Sequence, residues 1–393
     1  MTTAEPTPPK VMVLIHEDQY GGGTRQTFYI LEQLVRSGYQ AVLVSNASDS
    51  WLGRRLRESG LQVITRFTST IQRALHPVRD FQALLCLLKT IREERPDVLV
   101  TAGVKLVGLG CLAGWLMQVP LRVAIVRGRG GEEGTGMYRA IVLMEKFVAA
   151  LGTRFITVCE FNRQQMIREG TCNDKNSLTI HNGADIAECR SGVRGRFRAT
   201  LGLREDAFLI GMVGRLTPQK RYAAFIRMLA PLCQEFPHVT GLIIGDGPDR
   251  EALQNCIEQA GLSGRIRITG FIQSMPDVYA DLNASVLLTR YEGLANALLE
   301  SSAAGVPMVA DDVCGNAEIV RHGENGYIIP PEDLAGGTAL LRQLILDPAL
   351  CEALGRRGHE IAEADFDRQR QIERIIQNLV PLDDGRPAGV KTV

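Results

Sequence analysis

Short β-branched runs alternate with amphipathic stretches along this chain, and the alternation starts twice. In the first half Val11–Ile15, Ala41–Val44, Asp97–Thr101, Arg122–Val126 and Phe155–Val158 read as buried strands. Between them Thr24–Ser37, Asp80–Glu94, Val104–Met117 and Gly136–Ala150 read as helices. Phe28, Leu31, Leu34 and Val35 recur at helical spacing, and Gly38 supplies a C-terminal stop. The pattern restarts near residue 207. Phe208–Val213, Thr240–Ile244, Arg265–Thr269, Ser285–Thr289 and Pro307–Ala310 are strand-like, with helices expected at Arg221–Glu235, Arg250–Ala260, Ala295–Ala304 and Leu334–Leu346. Such alternation specifies βαβ units, hence parallel sheets with helices on both faces. The expected fold class is α/β: two Rossmann-like doubly wound domains facing each other across a cleft, with ligands at the carboxyl ends of the strands.

A chain of 393 residues has room for two domains of about 150–200 residues each. Residues 1–9, with three prolines, read as a frayed tail; residues 10–185 form the expected N-terminal domain and 186–363 the C-terminal one. Residues 364–393 are expected to carry a helix, Phe366–Leu379, that packs back on the first domain before a tail. Asn182–Gly202 reads as a linker with one short helix, and Gly183 as a turn that other residues resist. Hydrophobic residues at 45 %, charged residues at 22 % and 40 glycines fit a loop-rich globular chain rather than a disordered one.

Net charge is zero, so nothing global points to nucleic acid. Up to Arg190 there are 23 Lys/Arg against 18 Asp/Glu, and beyond it 21 against 26. The first half would suit an anionic or membrane-borne partner, although ordinary scatter gives such a split as readily. The nine cysteines are dispersed without a C-x-x-C pair, which reads as reduced core thiols of a cytoplasmic protein. The N-terminus has no basic-then-apolar leader, and no apolar run approaches about 20 residues; Val104–Met117 is too short and holds Lys105. Peripheral contact with the inner face of a membrane is compatible with this reading.

Four segments carry chemistry. After the first strand, His16-Glu17-Asp18-Gln19-Tyr20 leads to Gly21-Gly22-Gly23 and a helix, so backbone N–H groups are open to a phosphate or sugar. The spacing is not G-x-G-x-x-G, which speaks against a dinucleotide site. After Phe208–Val213 comes Gly214-Arg215-Leu216-Thr217-Pro218-Gln219-Lys220-Arg221, two cations beside a glycine at a strand end; no G-K-[ST] follows, so it is not a Walker loop. Gly245-Asp246-Gly247-Pro248 opens a helix, serving either structure or ligand, and Gly270-Phe271-Ile272 could pair with a flat base. Finally Glu292 and Glu300 bracket a helix start near Ala295, whose free N–H groups form an anion site. Eight helical residues would turn the two glutamates by only about 80°, so both could face one elongated ligand. Glu300 is the sole charge from Gly293 to Ala310, and a carboxylate in that company needs a polar partner from the protein or from a ligand.

In this order, the Gly-rich first loop, N-G-A-D, V-G-R-L-T-P-Q-K, G-D-G-P, E-x7-E and G-x-x-E-I-V resemble the retaining glycosyltransferases of family 4, across nearly the whole chain. The resemblance implies a GT-B fold with an N-terminal acceptor domain and a C-terminal donor domain. It also implies a nucleotide-diphosphate sugar donor, with a UDP-sugar favoured, and no cofactor or metal. By that analogy Arg215 and Lys220 bind the donor diphosphate, Glu300 the ribose and Glu292 the transferred sugar, with Arg215, Lys220 and Glu292 the catalytic set. Gly22 and Gly23 border the phosphates, Asn182 and Asp185 lie at the interdomain cleft, and Glu318 buttresses the site. Gly214, Gly247, Phe271, Ile272, Gly293, Leu294, Ala295 and Asn296 complete the donor-binding set.

Two departures from the family pattern stand out. A histidine is usual after the strand ending at Val126, where this chain has Arg127-Gly128-Arg129-Gly130-Gly131-Glu132-Glu133. Arg127 and Arg129 are therefore assigned to the acceptor side, with Arg127 either taking over positioning or marking different acceptor chemistry. Cys314 stands before Gly315 where a second glycine is usual. The activity implied is transfer to a hydroxyl of a cell-envelope glycan or a lipid-linked acceptor, with retention. The alternatives are a nucleotide-sugar epimerase of the same fold and a non-catalytic nucleotide-sugar-binding subunit; a phosphorylase would need a pyridoxal lysine and a larger chain.

Overall fold

The computed structural model describes residues 8–16, 21–68, 76–128 and 136–379. They divide into two compact units, one formed up to His181 and again from Arg370, the other by Asn182–Gln369. The boundary thus falls before Asn182 rather than after residue 185.

The first unit runs β1 (Lys10–Ile15), α1 (Gly22–Arg36), β2 (Gln40–Ser45), α2 (Trp51–Ser59), β3 (Val63–Phe67), α3 (Pro77–Glu94), β4 (Val98–Ala102), α4 (Val104–Leu116), β5 (Leu121–Val126), α5 (Gly136–Ala150), β6 (Arg154–Thr157), α6 (Glu160–Arg168) and β7 (Ser177–Thr179). Its seven strands are all parallel, in the order β3-β2-β1-β4-β5-β6-β7. Val13 sits between Leu43 and Val100 in register. Helices cover both faces, which is why β1 and β4 are apolar without alternation. α1 packs on α2, while α3, α4 and α5 are successive neighbours. Met12, Leu14, Val42, Leu87 and Leu99 lie in the core between sheet and helices.

The second unit runs α7 (Ile186–Arg190), α8 (Arg196–Thr200), β8 (Phe208–Val213), α9 (Tyr222–Glu235), β9 (Val239–Ile244), α10 (Arg250–Gln259), β10 (Ile266–Gly270), α11 (Pro276–Asp281), β11 (Ala284–Leu287), α12 (Asn296–Ala304), β12 (Met308–Asp311), α13 (Asn316–Ile319), β13 (Gly326–Ile329), α14 (Leu334–Leu346) and α15 (Pro348–Asp365). A last helix, α16 (Arg368–Gln377), passes from this unit into the first at Arg370. Six parallel strands lie in the order β10-β9-β8-β11-β12-β13. Consecutive strands step one way from β8 to β10 and the other way from β11 on. The crevice at that reversal, at the carboxyl ends of β8 and β11, is where doubly wound sheets hold ligands.

The periodic strands and helices stand within two residues of their expected places, except that α3 starts at Pro77, three residues before the expected Asp80. The missed elements are short, edge-placed or broken by glycine. β3 is an edge strand whose Phe67 is exposed, so its residues lack a buried signature. α15 contains Gly355, which reads as a breaker; a side chain there would lie 2.1 Å from Gly305 O, because α15 runs against the end of α12. The expected linker is a packed part of the second unit with two helices, not one. Arg198 of α8 is buried and donates to Asp281 Oδ1 over 3.0 Å, pinning α8 to α11. Gly183 does not take a left-handed turn. It is small because a Cβ would sit 2.3 Å from Arg368 Cα. Beside it Ala184 N donates to Phe366 O (2.9 Å) and Arg368 N to Ala184 O (3.0 Å). All nine cysteines are free thiols.

Candidate functional site

Three loops meet at the carboxyl ends of β8, β11 and β12. The β8 loop passes through Gly214, whose φ of 155° only glycine adopts easily, into a 3-10 turn at Pro218–Lys220. Gln219 ties that turn to the β11 loop, donating from Nε2 to Tyr291 O (2.7 Å) and accepting from Arg290 N (2.9 Å). The β12 loop joins through Gly315 N to Gly293 O (3.3 Å) and through Cys314 Sγ, which accepts from Glu292 N (3.4 Å).

Beneath these loops Asp311 is fully buried at the end of β12. Its Oδ2 accepts from Thr289 N (2.8 Å) and Arg221 Nη1 (3.2 Å), and its Oδ1 from Asn316 Nδ2 (3.2 Å). Desolvation pushes its carboxyl up to about 6, against the opposing pull of the Thr289 N–H and Arg221. Arg221 itself holds φ 46°, a conformation that costs free energy outside glycine. Its guanidinium also donates to Pro331 O and pairs with Glu332 Oε1 (2.6 Å), so the chain is anchored at the residue directly after Lys220. Arg221, Asp311, Thr289 and Gln219 were missed in the sequence. A buried Asp closing an apolar strand was the one local signal.

On this frame Lys220 Nζ contacts Glu292 Oε2, both side chains largely buried. The expected diphosphate cation and sugar carboxylate therefore hold each other. Arg215 is exposed, and no hydrogen bond or ion pair engages it among the described residues. The nine-residue α12 starts after Ala295 with no side-chain cap and no acid in its first turn, so its N–H groups carry uncompensated positive potential. Asn182 Nδ2 donates to Asn296 Oδ1 at that helix start (3.2 Å). Gly293, Leu294 and Ala295 are buried and leave only backbone to offer.

Several expected roles change. Glu292 lies before α12, where it was expected, but the 80° rotation supposes eight helical residues and α12 begins only at Asn296, so that argument does not apply. Glu300, half-buried on the helix, accepts from Tyr279 Oη (2.8 Å); a protein hydroxyl answers at least one of its oxygens. Asp185 caps α7 through Glu188 N (3.0 Å) and pairs with Arg368 Nη1 (2.8 Å), so both oxygens serve the fold rather than a donor. Gly247 is small because a Cβ would meet Leu216 O at 2.3 Å, and its N–H already donates to Asp246 Oδ1 (2.8 Å). Phe271 is exposed after β10, Ile272 half-buried against the core beneath, and Glu318 sits half-buried in α13.

In the first unit Arg127 is no free acceptor-side cation. It donates to Gly23 O (2.7 Å) and Thr27 Oγ1 (2.9 Å), and burial lowers its pKa to about 10. Among the described residues no carboxylate faces it. Gly22 and Gly23 form the first turn of α1, and Gly23 is packed against Arg127 Nη1. Arg127 therefore sets the position of the α1 start. Arg129 and the rest of its loop, Gly130-Gly131-Glu132-Glu133, lie outside the described residues, as does Glu17–Tyr20.

Two Rossmann-like units, one with an anion-seeking crevice at its switch point, define a doubly wound α/β protein that handles phosphorylated ligands. A family model described as "Glycosyl transferases group 1" matches residues 193–361, and one described as "Glycosyl transferase 4-like domain" matches residues 21–183. The chain belongs to the glycosyltransferases of family 4 and has the GT-B fold. It is 27 % identical over 275 residues, 68 % of this chain and 71 % of the relative, to the Escherichia coli UDP-Gal:alpha-D-GlcNAc-diphosphoundecaprenol alpha-1,3-galactosyltransferase. The Staphylococcus aureus capsular polysaccharide biosynthesis glycosyltransferase CapM is 24 % identical over 322 residues, 78 % of this chain and 83 % of the relative. Among solved structures, Anabaena HepE with UDP-glucose superposes with a TM-score of 0.80 at 20 % identity, covering 94 % of this chain and 99 % of that one.

Proposed function

We propose that this glycosyltransferase moves a sugar from a UDP-sugar to a hydroxyl of a lipid-linked or cell-envelope glycan, with retention and without a metal. The observation that carries the reading is Arg215, unengaged among the described residues, on the same loop as Lys220, together with the uncapped start of α12, all following the carboxyl ends of β8 and β11. The names of the relatives support the substrates. The E. coli relative takes UDP-Gal and a diphosphoundecaprenol-linked sugar, CapM serves capsular polysaccharide, and HepE binds UDP-glucose.

The chemical demand is a diphosphate that gains negative charge as its bond to the anomeric carbon breaks. Arg215, Lys220 and the α12 N–H groups supply fixed positive potential for that charge, with no reorganisation needed at the moment of reaction. As the donor diphosphate takes Lys220, Glu292 is released from its partner and turns to the transferred sugar. The acceptor oxygen then bonds to the anomeric carbon on the face that the phosphate leaves. The acceptor's proton passes to the departing phosphate oxygen, so the reaction needs no carboxylate nucleophile. Asn182, bonded to Asn296, fixes the α12 start, and in the first unit Arg127 fixes the α1 start at Gly22 and Gly23.

The test is incubation of the purified chain with UDP-sugars and a diphosphoprenol-linked sugar, followed by NMR of the anomeric centre. An α-linked product from an α-linked donor, formed in chelator, is the expected result. An inverted linkage, an epimerised donor without acceptor, or donor binding with no turnover would each overturn the reading.

A further inference from the structure

Thirteen large apolar side chains are exposed among the described residues, and eight of them stand on just three neighbouring helices, α3, α4 and α5. On α5 the outward positions Met137, Leu143 and Phe147 are 56, 67 and 51 % exposed. At about 100° per residue they share roughly half of the helix circumference with Arg139 and Lys146. The opposite side of α5, including its one acid Glu145, is buried against the unit. Every exposed position on α5 is therefore apolar or cationic.

The adjoining helices continue the surface. Lys105 of α4 pairs with Asp80 of α3, and Gly108 of α4 lies against Met144 of α5, so α4 is the middle of the three. α4 has no charged residue after Lys105, and it exposes Trp115 and Leu116 at its end. α3 exposes Val78, Phe81 and Leu85 at positions i, i+3 and i+7, one helical stripe, with Arg79, Lys89 and Arg92 beside it and Glu93 as its only exposed acid.

A helix layer that turns apolar stripes and cations to solvent has the composition of an interfacial element, not of a water-facing one. No helix among the described residues is long and apolar enough to cross a bilayer. We propose that the outer face of α3, α4 and α5 is the surface by which this protein lies on an anionic lipid bilayer. Leu143, Phe147, Phe81 and Trp115 would enter the headgroup boundary while Arg139, Lys146, Arg79 and Lys89 meet lipid phosphates. Charge complementarity selects this occupant: among the described residues the exposed rim carries Arg139, Lys146, Arg79, Lys89 and Arg92 against one acid, Glu93, which pairs with Lys89, and such a cationic excess around an apolar patch suits an anionic membrane. The inference extends the lipid-linked-acceptor part of the proposed function, since an enzyme whose acceptor is anchored in a bilayer must reach its surface.

Flotation of the full chain with phosphatidylcholine vesicles, with or without 30 % phosphatidylglycerol, tests it. Wild type is expected to float with the anionic vesicles at low salt, and to be released as salt screens the contact. Leu143→Gln with Phe147→Gln should weaken binding by about tenfold or more, and Arg139→Gln with Lys146→Gln should remove most of the preference for anionic lipid. Circular dichroism and the thermal shift given by UDP should be unchanged in both pairs, which separates lost docking from lost folding. Equal flotation of wild type and the Leu143/Phe147 variant would overturn the proposal. So would a wild-type dimer that these substitutions dissolve, since a second copy would then cover the face. Absent flotation with intact UDP-sugar turnover defeats the docking surface alone; flotation without turnover defeats the proposed activity alone.

Discussion

Replacing Glu292 by glutamine is expected to tighten the binding of free UDP while slowing transfer. Lys220 and Glu292 touch, with side chains only 15 and 20 % exposed, so a diphosphate approaching Lys220 meets a carboxylate already in place. Two unit charges about 4 Å apart interact by about 4 kcal/mol at an effective dielectric constant near 20. Solvent screening and the hydrogen bond that the amide keeps reduce the net difference to about 1–2 kcal/mol, which is roughly 5- to 30-fold in Kd. Calorimetric titration of UDP into wild type, E292Q, K220M and the double variant at one ionic strength closes the cycle. The gain in E292Q should vanish when Lys220 is also methionine, because the effect acts through that ammonium. Transfer by E292Q should fall by about 100-fold or more, since the released carboxylate is the group meant for the sugar. If E292Q binds UDP no tighter than wild type, Lys220 is not held from the diphosphate by its neighbour, and the reasoning is wrong.

Arg215→Ala should lower kcat/KM by about 30- to 1,000-fold, a loss of about 2–4 kcal/mol, without changing Tm, because no group among the described residues relies on it; a matching drop in Tm would show a structural role. For Asp311 the folded carboxyl titrates near 6 against 3.8 for the free group, so its contribution is fully present below about pH 3.8 and is lost as pH rises through 6. That loss is about 3 kcal/mol, and urea unfolding from pH 4 to 7 should show Asp311→Asn gaining on wild type as pH rises; parallel curves would reject the shift. Arg127→Met should speed amide hydrogen exchange at the α1 start with little change in Tm, as two hydrogen bonds are lost while the desolvation of a cation with no carboxylate partner among the described residues is relieved; unchanged exchange would remove Arg127 from the positioning of α1.

How far the sequence reached depended on how local each signal is. Strands such as β1, β4, β8 and β9 were legible because burial on both faces demands an unbroken apolar run, whatever lies elsewhere in the chain. The β8 loop announced itself for the same reason, with its glycine and two cations following the strand directly. β3 and α15 were not legible: one lies at a sheet edge without a buried signature, and the other contains a glycine that matters only against the α12 end.

The amino-acid sequence by itself determined that the chain builds two parallel sheets and that Glu300 needs a polar partner, since periodicity and desolvation are properties of neighbours along the chain. Only the tertiary structure decided which groups meet. It supplied Tyr279 to Glu300, turned Asp185 and Gly247 to the upkeep of the fold, and closed Arg127 onto Gly23. It also set Lys220 against Glu292, residues 72 positions apart, over a buried Asp311. Electrostatic energy depends on distance and burial in space, and neither quantity is written in the order of the residues.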